Sequence, residues 1–180
     1  MYGLIPSPEV VVLTLNYNSA YSLKSIVYES IESALSITYQ NLDVAVVDNC
    51  STDRSFEAME AKFGKDITAL KLNRNYGYAG GNEFGFQSYV SRKSLPKYVI
   101  FMNNDYVIKN EDFVRGLVSF LKSRDDVLLA GGYNLQEDGL HIADARFFID
   151  SLTNLIPRYF GLKKSDCPKA VSYVTYVLGA

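Results

Sequence analysis

The chain of 180 residues carries 18 Lys and Arg against 20 Asp and Glu, and this balance favours neither nucleic acid nor an anionic membrane as a partner. Two cysteines and the single His141 exclude a disulfide framework and most zinc sites. No apolar run approaches 18 residues and the N-terminus lacks a basic segment, so neither a membrane span nor a signal peptide is predicted.

Apolar runs of strand length alternate with segments of helical spacing along the first two thirds of the chain. Strands are predicted at residues 9–15, 42–47, 67–72 and 97–102, with a fifth near 127–130. Helices are predicted from a cap at Ser19 to residue 35, from 51–53 to about 63, after a glycine-rich turn at 73–81 to about 92, and near 112–122. This alternation predicts an α/β fold, a three-layer αβα sandwich with a mostly parallel sheet.

Beyond about residue 135 the pattern weakens. A strand is expected at 141–149, residues 151–160 are ambiguous, 163–169 read as a loop, and 171–178 read as a strand. The chain ends two residues later, at Gly179-Ala180, and we expect it to be part of a longer protein.

Polar residues follow each of the first four predicted strands. They are Asn16 and Asn18, Asp48 and Asn49, Asn73 and Asn75, and Asn103, Asn104 and Asp105. Asn and Asp are common in turns, but the carboxyl ends of parallel strands share one edge, where open α/β sheets bind ligands. The sequence therefore predicts a polar site at this edge.

The type of ligand is narrowed by missing motifs. The first turn has no glycine, so it is not a dinucleotide fingerprint, and neither a P-loop nor a G-x-S-x-G motif occurs. Asp105, after two Asn residues, is typical of a site for Mg²⁺ or Mn²⁺, which bind oxygen ligands and substrate phosphates.

Four segments carry a resemblance to a known family. VVVLTLNYN, VVDNCSTD, NRNYGYAGGNEFG and FMNNDYVI resemble family 2 glycosyltransferases with the GT-A fold, a Rossmann-like nucleotide-binding fold, and most of all their rhamnosyltransferase-like branch. The likeness covers residues 9–131, with a weaker one at 171–180. It implies one GT-A-like domain over 1–180, in which 9–131 bind the nucleotide-sugar and 132–180 begin an incomplete acceptor side.

The resemblance also implies roles for individual residues. Thr14 to Asn16 would line the pocket for base and ribose, Asp48 would hydrogen-bond uracil or thymine, and the turn from Asn75 to Gly81 would lie close to the nucleotide. The implied nucleotide-binding residues are Thr14, Leu15, Asn16, Asp48, Asn75, Gly77, Gly80, Gly81 and Asn104. Asp105 and Asn103 would hold a divalent cation, Mn²⁺ or Mg²⁺, on the donor's diphosphate. Plain turn or packing roles for Asp48 and the glycines stay open.

Two positions depart from the family pattern. Asn103 stands where the family's metal motif begins with Asp, which leaves one anionic ligand fewer. Glu83 stands where related sequences often carry Asn, and a carboxylate there would repel a phosphate. We therefore expect modest metal affinity without the diphosphate, and a Glu83 that faces away from it.

The implied reaction is sugar transfer with inversion from a UDP- or dTDP-sugar to a glycan, lipid-linked or protein acceptor. A carboxylate base normally follows the strand that ends in Gly179-Ala180, so none of Asp138, Asp144 and Asp150 is assigned to that role. We expect donor binding with little transfer by these 180 residues. A cytoplasmic location is expected, with peripheral membrane association left open, and no nucleic acid partner.

Two other functions are compatible with the sequence. A sugar nucleotidyltransferase also uses an α/β sheet and a carboxylate-bound metal, but it favours a first turn with Gly and Lys or Arg, which this chain lacks. A non-catalytic nucleotide-binding or assembly module would show binding without turnover.

Overall fold

The structure, a computed structural model, describes residues 9–21, 24–124 and Ala130. The chain divides into two compact units, Met1–Asp112 and Phe113–Ala180. Apart from Ala130, the strand expected near 127–130 lies outside the described residues. So do the elements expected beyond it, together with His141 and the three unassigned carboxylates.

Each strand and helix predicted up to residue 122 is present, with ends that differ by a few residues. In the first unit the elements are β1 (Val10–Asn16), α1 (Lys24–Leu35), β2 (Leu42–Asp48), α2 (Ser55–Phe63), a short 3₁₀ helix (Gly64–Asp66), β3 (Thr68–Lys71), α3 (Gly77–Arg92) and β4 (Tyr98–Asn103). In the second unit the structure describes α4 (Phe113–Lys122).

The four strands of the first unit form one parallel sheet in the order β3-β2-β1-β4. The chain steps outward from β1 to β3 and then returns to place β4 on the other side of β1. The strand order therefore reverses between β1 and β4, at the kind of switch point where such sheets bind ligands. The register pairs Asn16 with Asp48 and Leu15 with Asn103, so that the polar strand ends are neighbours.

Helices cover both faces of this sheet. Side chains alternate between the two faces along each strand, so each face carries its own apolar residues. On one face a buried cluster joins Val11, Leu13, Ala45 and Val47 to Tyr89 of α3. On the other face, the side chain of Asn16 bonds to Ser55 of α2. The buried apolar residues Val10, Val12, Val44 and Val46 share that second face, and α1 and α2 supply Val27, Ile31, Phe56 and Met59. The three-layer αβα sandwich is thus confirmed.

The glycine-rich segment differs from its prediction, since α3 already begins at Gly77 and includes the glycines that were expected in a turn. An added Cβ at Gly81 would lie 2.7 Å from Cδ2 of Leu15, and one at Gly85 would lie 2.7 Å from both methyl carbons of Val47. An added Cβ at Gly80 would lie 3.0 Å from Cβ of Tyr76. Gly81 and Gly85 therefore let α3 lie close to β1 and β2.

We expect Gly85→Ala to lower the free energy of unfolding by about 1 kcal/mol, because crowding against Val47 costs about 1–3 kcal/mol while helix propensity returns about 1 kcal/mol. Urea denaturation measures the effect. The matched control is Gly116→Ala in α4, whose added Cβ meets no described atom within 4 Å and which should raise stability by up to about 1 kcal/mol. Equal or greater stability of Gly85→Ala would contradict the close approach of α3.

Candidate functional site

The fully buried side chain of Asn16 holds the carboxyl ends of β1 and β2 together. Its Nδ2 donates to Oδ1 of Asp48 at 3.0 Å and to Oγ of Ser55 at 3.0 Å, with a longer contact of 3.3 Å to Oγ of Ser51. Its Oδ1 accepts a hydrogen bond from the hydroxyl of Ser19. One amide thus joins two strand ends, the two loops that follow them and the start of α2.

Asp48 is also fully buried, and both of its carboxylate oxygens accept hydrogen bonds. Oδ1 accepts from Asn16 and Oδ2 accepts from the backbone N–H of Ser51 at 2.9 Å. In this arrangement the carboxylate bonds to the strand end and the following loop. Its contact with a nucleobase stays a prediction.

Of the three residues assigned to the base and ribose pocket at the end of β1, two have buried side chains. Thr14 is buried, and its hydroxyl oxygen makes no hydrogen bond to any described residue. Thr14 and Asn16 face the side of α1 and α2, whereas Leu15 is partly exposed on the side of α3. The next residue, Tyr17, is 46% exposed and was not assigned to the site, although an aromatic residue directly after a buried strand could have drawn attention to it.

The loops after β1 and β2 bond to each other. The N–H of Asn18 donates to Oγ of Ser51 at 2.9 Å, and the N–H of Thr52 donates to Oδ1 of Asn18 at 2.9 Å. The N–H of Ala20 donates to Oδ2 of Asp53 at 2.7 Å. These bonds make the two loops a single platform at the carboxyl edge.

Backbone strain concentrates in this platform. Asn18, Cys50 and Arg54 have positive φ angles of 48°, 65° and 64°, in the region that non-glycine residues seldom adopt. Ser19 differs from its prediction as a helix cap, because its hydroxyl bonds to Asn16 and α1 begins only at Lys24. Such strain persists where surrounding bonds fix the conformation, and it is common at functional sites.

Asp53 has a pKa below its usual value of 3.8. Its slight burial raises the pKa, but hydrogen bonds from Ser55 and from the N–H of Ala20 lower it by more. The carboxylate is therefore more acidic in the folded chain than in the unfolded chain.

The depressed pKa of Asp53 predicts a dependence of stability on pH. Its contribution is complete above the unfolded pKa and is lost as the pH falls through the lower folded pKa. The stability advantage of the parent over Asp53→Asn should therefore be constant above about pH 5 and shrink as the pH falls from there through the folded pKa, which lies below 3.8. Urea denaturation across this range tests it, and a constant difference would contradict the assignment.

Asn49 fastens the third loop to β2; the sequence placed it at the polar edge without giving it an individual role. Its Oδ1 accepts from the N–H of Tyr76 at 2.9 Å, and its Nδ2 donates to Oδ1 of Asn75 at 2.9 Å and to the carbonyl of Gly77 at 3.1 Å. The N–H of Gly77, which has a φ of 71°, donates to Oδ1 of Asn75. Asn75 and Gly77 thus shape the start of α3, and their contact with a nucleotide stays a prediction.

The turn after β4 contains the two residues assigned to the metal. The N–H of Tyr106 donates to the carbonyl of Asn103, which closes the turn, and the hydroxyl of Tyr78 in α3 donates to Oδ1 of Asn103 at 2.7 Å. Asn104, which lies between Asn103 and Asp105 in the chain, is partly buried. Oδ1 of Asp105 is shielded from solvent and accepts no hydrogen bond from the described part of the chain.

An unpaired, buried carboxylate oxygen is costly, and a hard cation would satisfy it. Within the described ranges, no group of three or more His, Cys, Asp and Glu side chains could hold a metal ion by itself. The residues present therefore fit a cation held by Asp105 together with oxygens of a bound ligand, as Mg²⁺ is commonly held.

The doubly wound sheet, with its polar carboxyl edge, defines this chain as an α/β protein of the Rossmann-like class. Residues 10–177 match the family Glycosyl transferase family 2. The chain therefore belongs to this family of glycosyltransferases.

Relatives and solved structures agree with the family. The UDP-Glc:alpha-D-GlcNAc-diphosphoundecaprenol beta-1,3-glucosyltransferase WfaP of Escherichia coli is 25% identical over 121 residues, which are 67% of this chain and 45% of WfaP. S. aureus TarS 1–349 in complex with UDP-GlcNAc has a TM-score of 0.58 at 21% identity, over 78% of this chain and 38% of that one.

The mannosyltransferase PcManGT from Pyrobaculum calidifontis, in complex with GDP-Man and Mn²⁺, has a TM-score of 0.53 at 21% identity, over 67% of this chain and 34% of that one. The likeness to the two solved structures shows the GT-A fold. The match to this chain spans between 34% and 59% of the length of five curated relatives. Among the described helices, none is long and apolar enough to cross a membrane.

Proposed function

We propose that this chain binds the nucleotide-diphosphate sugar for an inverting glycosyltransferase, at the carboxyl edge of β1, β2 and β4. The observation that carries the proposal is the buried, unpaired oxygen of Asp105 beside the switch point of the sheet. A UDP- or dTDP-sugar is the proposed donor. The UDP-Glc in the name of WfaP and the UDP-GlcNAc in complex with TarS support the uridine nucleotide.

Asp105 would hold a divalent cation, Mn²⁺ or Mg²⁺, with Asn104 in the same turn. The Mn²⁺ in the complex of PcManGT supports this cation. The cation would neutralise the charge that develops on the leaving diphosphate. The chain adds the N-terminus of α3, which begins at the same edge and whose helix dipole favours an anion.

The platform after β1 and β2 would receive the base and ribose. Tyr17 offers an exposed ring for stacking, Leu15 is partly exposed, and Asp48 is the carboxylate that would select uracil or thymine. Because Asp48 is buried behind Asn16 and Ser51, its effect on the base would act in part through the groups that it holds.

The acceptor would be a glycan or a lipid-linked sugar, since the name of WfaP gives a lipid-linked sugar as its acceptor. A protein acceptor stays an alternative, and the catalytic base is unassigned. A cytoplasmic location and a role in polysaccharide biosynthesis stay predictions.

The metal assignment predicts that Mn²⁺ or Mg²⁺ strengthens the binding of UDP and that Asp105→Ala abolishes this gain. This carboxylate is the anionic ligand that the described residues would supply to the proposed site, so its removal takes away their charge on the cation. Calorimetry with metal and with EDTA measures both effects. Asp66→Ala, in the 3₁₀ helix at the opposite edge of the sheet, is the control and should keep the gain. Equal affinity of the parent with metal and with EDTA would refute the assignment.

The base assignment predicts that Asp48→Asn weakens the binding of UDP roughly ten- to a hundredfold, as expected for losing a charged hydrogen bond. The matched control is Asp43→Asn in the same strand, because Asp43 also accepts hydrogen bonds from neighbouring side chains, Thr68 and Tyr89, but lies far from the carboxyl end. It should lower stability and leave the affinity for UDP unchanged. If Asp48→Asn binds UDP like the parent, Asp48 is only a structural residue.

A further inference from the structure

The side chain of Asn103 is fixed by a tyrosine from the neighbouring helix. Tyr78 is the second residue of α3, and its hydroxyl donates to Oδ1 of Asn103 at 2.7 Å. The carbonyl of Asn103 is fixed as well, since it accepts from the N–H of Tyr106 and, at 3.5 Å, from the hydroxyl of Ser30. Both the backbone and the side chain of Asn103 are therefore oriented before any ligand binds.

The side chain of Asn103 is placed with its amide oxygen toward the hydroxyl of Tyr78. Since Oδ1 of Asn103 accepts from Tyr78, Nδ2 is the end left over, and none of the hydrogen bonds among the described residues uses it. An amide nitrogen donates hydrogen bonds and does not bind a hard cation, whereas an amide oxygen can do so. Asn103 thus offers two donors at the turn that holds the unpaired carboxylate of Asp105.

Resting on the proposed function, we infer that Asn103 donates its amide N–H groups to an anionic oxygen of the donor's diphosphate and that Tyr78 is the positioning residue that turns the amide this way. Asn103 then contacts the nucleotide directly, and Asp105 alone supplies the protein's carboxylate to the cation. An Asp at position 103 would instead place a second negative charge beside the phosphates. The amide then contributes the same free energy to nucleotide binding with and without the metal.

This arrangement differs from one in which Asn103 is a metal ligand, as its position suggests from sequence. A metal ligand contributes only when the metal is present. A direct donor to the diphosphate contributes equally with and without metal. The two roles therefore predict different effects of the same substitution.

The test is calorimetry of UDP binding, in EDTA and in Mn²⁺, to the parent, Asn103→Ala, Tyr78→Phe and the double variant. Asn103→Ala should weaken binding roughly ten- to a hundredfold by the same factor in both buffers. Tyr78→Phe should weaken it several-fold when Asn103 is present and have no further effect in the Asn103→Ala background. Tyr78 is 61% exposed, so its hydroxyl can be removed without emptying the core.

Tyr39→Phe is the matched control, because the hydroxyl of Tyr39 also donates to a side-chain oxygen, that of Glu9, but at the opposite edge of the sheet. It should leave the affinity for UDP unchanged in both buffers. A loss on Asn103→Ala that occurs only with Mn²⁺ would make Asn103 a metal ligand and overturn the inference. So would an equal effect of Tyr78→Phe with and without Asn103.

The outcome also separates the inference from the proposed function. If the parent binds UDP with a metal gain that depends on Asp105, while Asn103→Ala and Tyr78→Phe bind like the parent, only the inference fails. If the parent binds no nucleoside diphosphate in either buffer, both fail.

Discussion

The carboxyl edge of the sheet depends on the hydrogen bonds of one buried amide, that of Asn16. A buried polar group without a partner costs about 1–3 kcal/mol, so a partly formed network at this point would destabilise both strand ends. Because Asn16 bonds to Asp48, Ser19 and Ser55 together, it fixes where the first two loops leave the sheet. The positive φ angles of Asn18 and Cys50 follow from this fixed geometry, since the bonds between the loops hold them.

The opposite side of the same edge is shaped by the close approach of α3. A larger residue at Gly81 would displace the side chain of Leu15, and one at Gly85 would crowd Val47. This approach brings the first turn of α3 to the end of β4, where Tyr78 reaches Asn103. Gly81 and Gly85 therefore act on the site through packing, because they position the N-terminus of α3 and Tyr78.

The fold was predictable because its central strands, β1 and β2, are largely buried on both faces and read as short β-branched runs between polar turns. The polar edge followed from one rule, that parallel strands end on the same side. The orientation of individual side chains did not follow. The hydrophobic pattern of the sequence does not show that Thr14 and Asn16 are buried while Leu15 is partly exposed. It also does not show that Asn49 and Tyr78 bond to neighbouring segments. In the sequence, the glycines at 77–81 are compatible with a turn. The structure places them in α3, where Gly81 lies close to Leu15.

The two sides of the edge differ in how far their polar groups are satisfied. Around Asn16 and Asp48, the described side chains bond to one another and hold the two strand ends, and the buried hydroxyl oxygen of Thr14 is the exception. At the turn after β4, Oδ1 of Asp105 and Nδ2 of Asn103 have no such partners among the described residues. A cation would satisfy Oδ1 of Asp105 and remove a desolvation cost that the free protein already bears, and an anionic oxygen would accept from Nδ2 of Asn103. Most of the binding energy of a metal-bound diphosphate would therefore arise at β4, while the paired side sets the shape in which a base is selected.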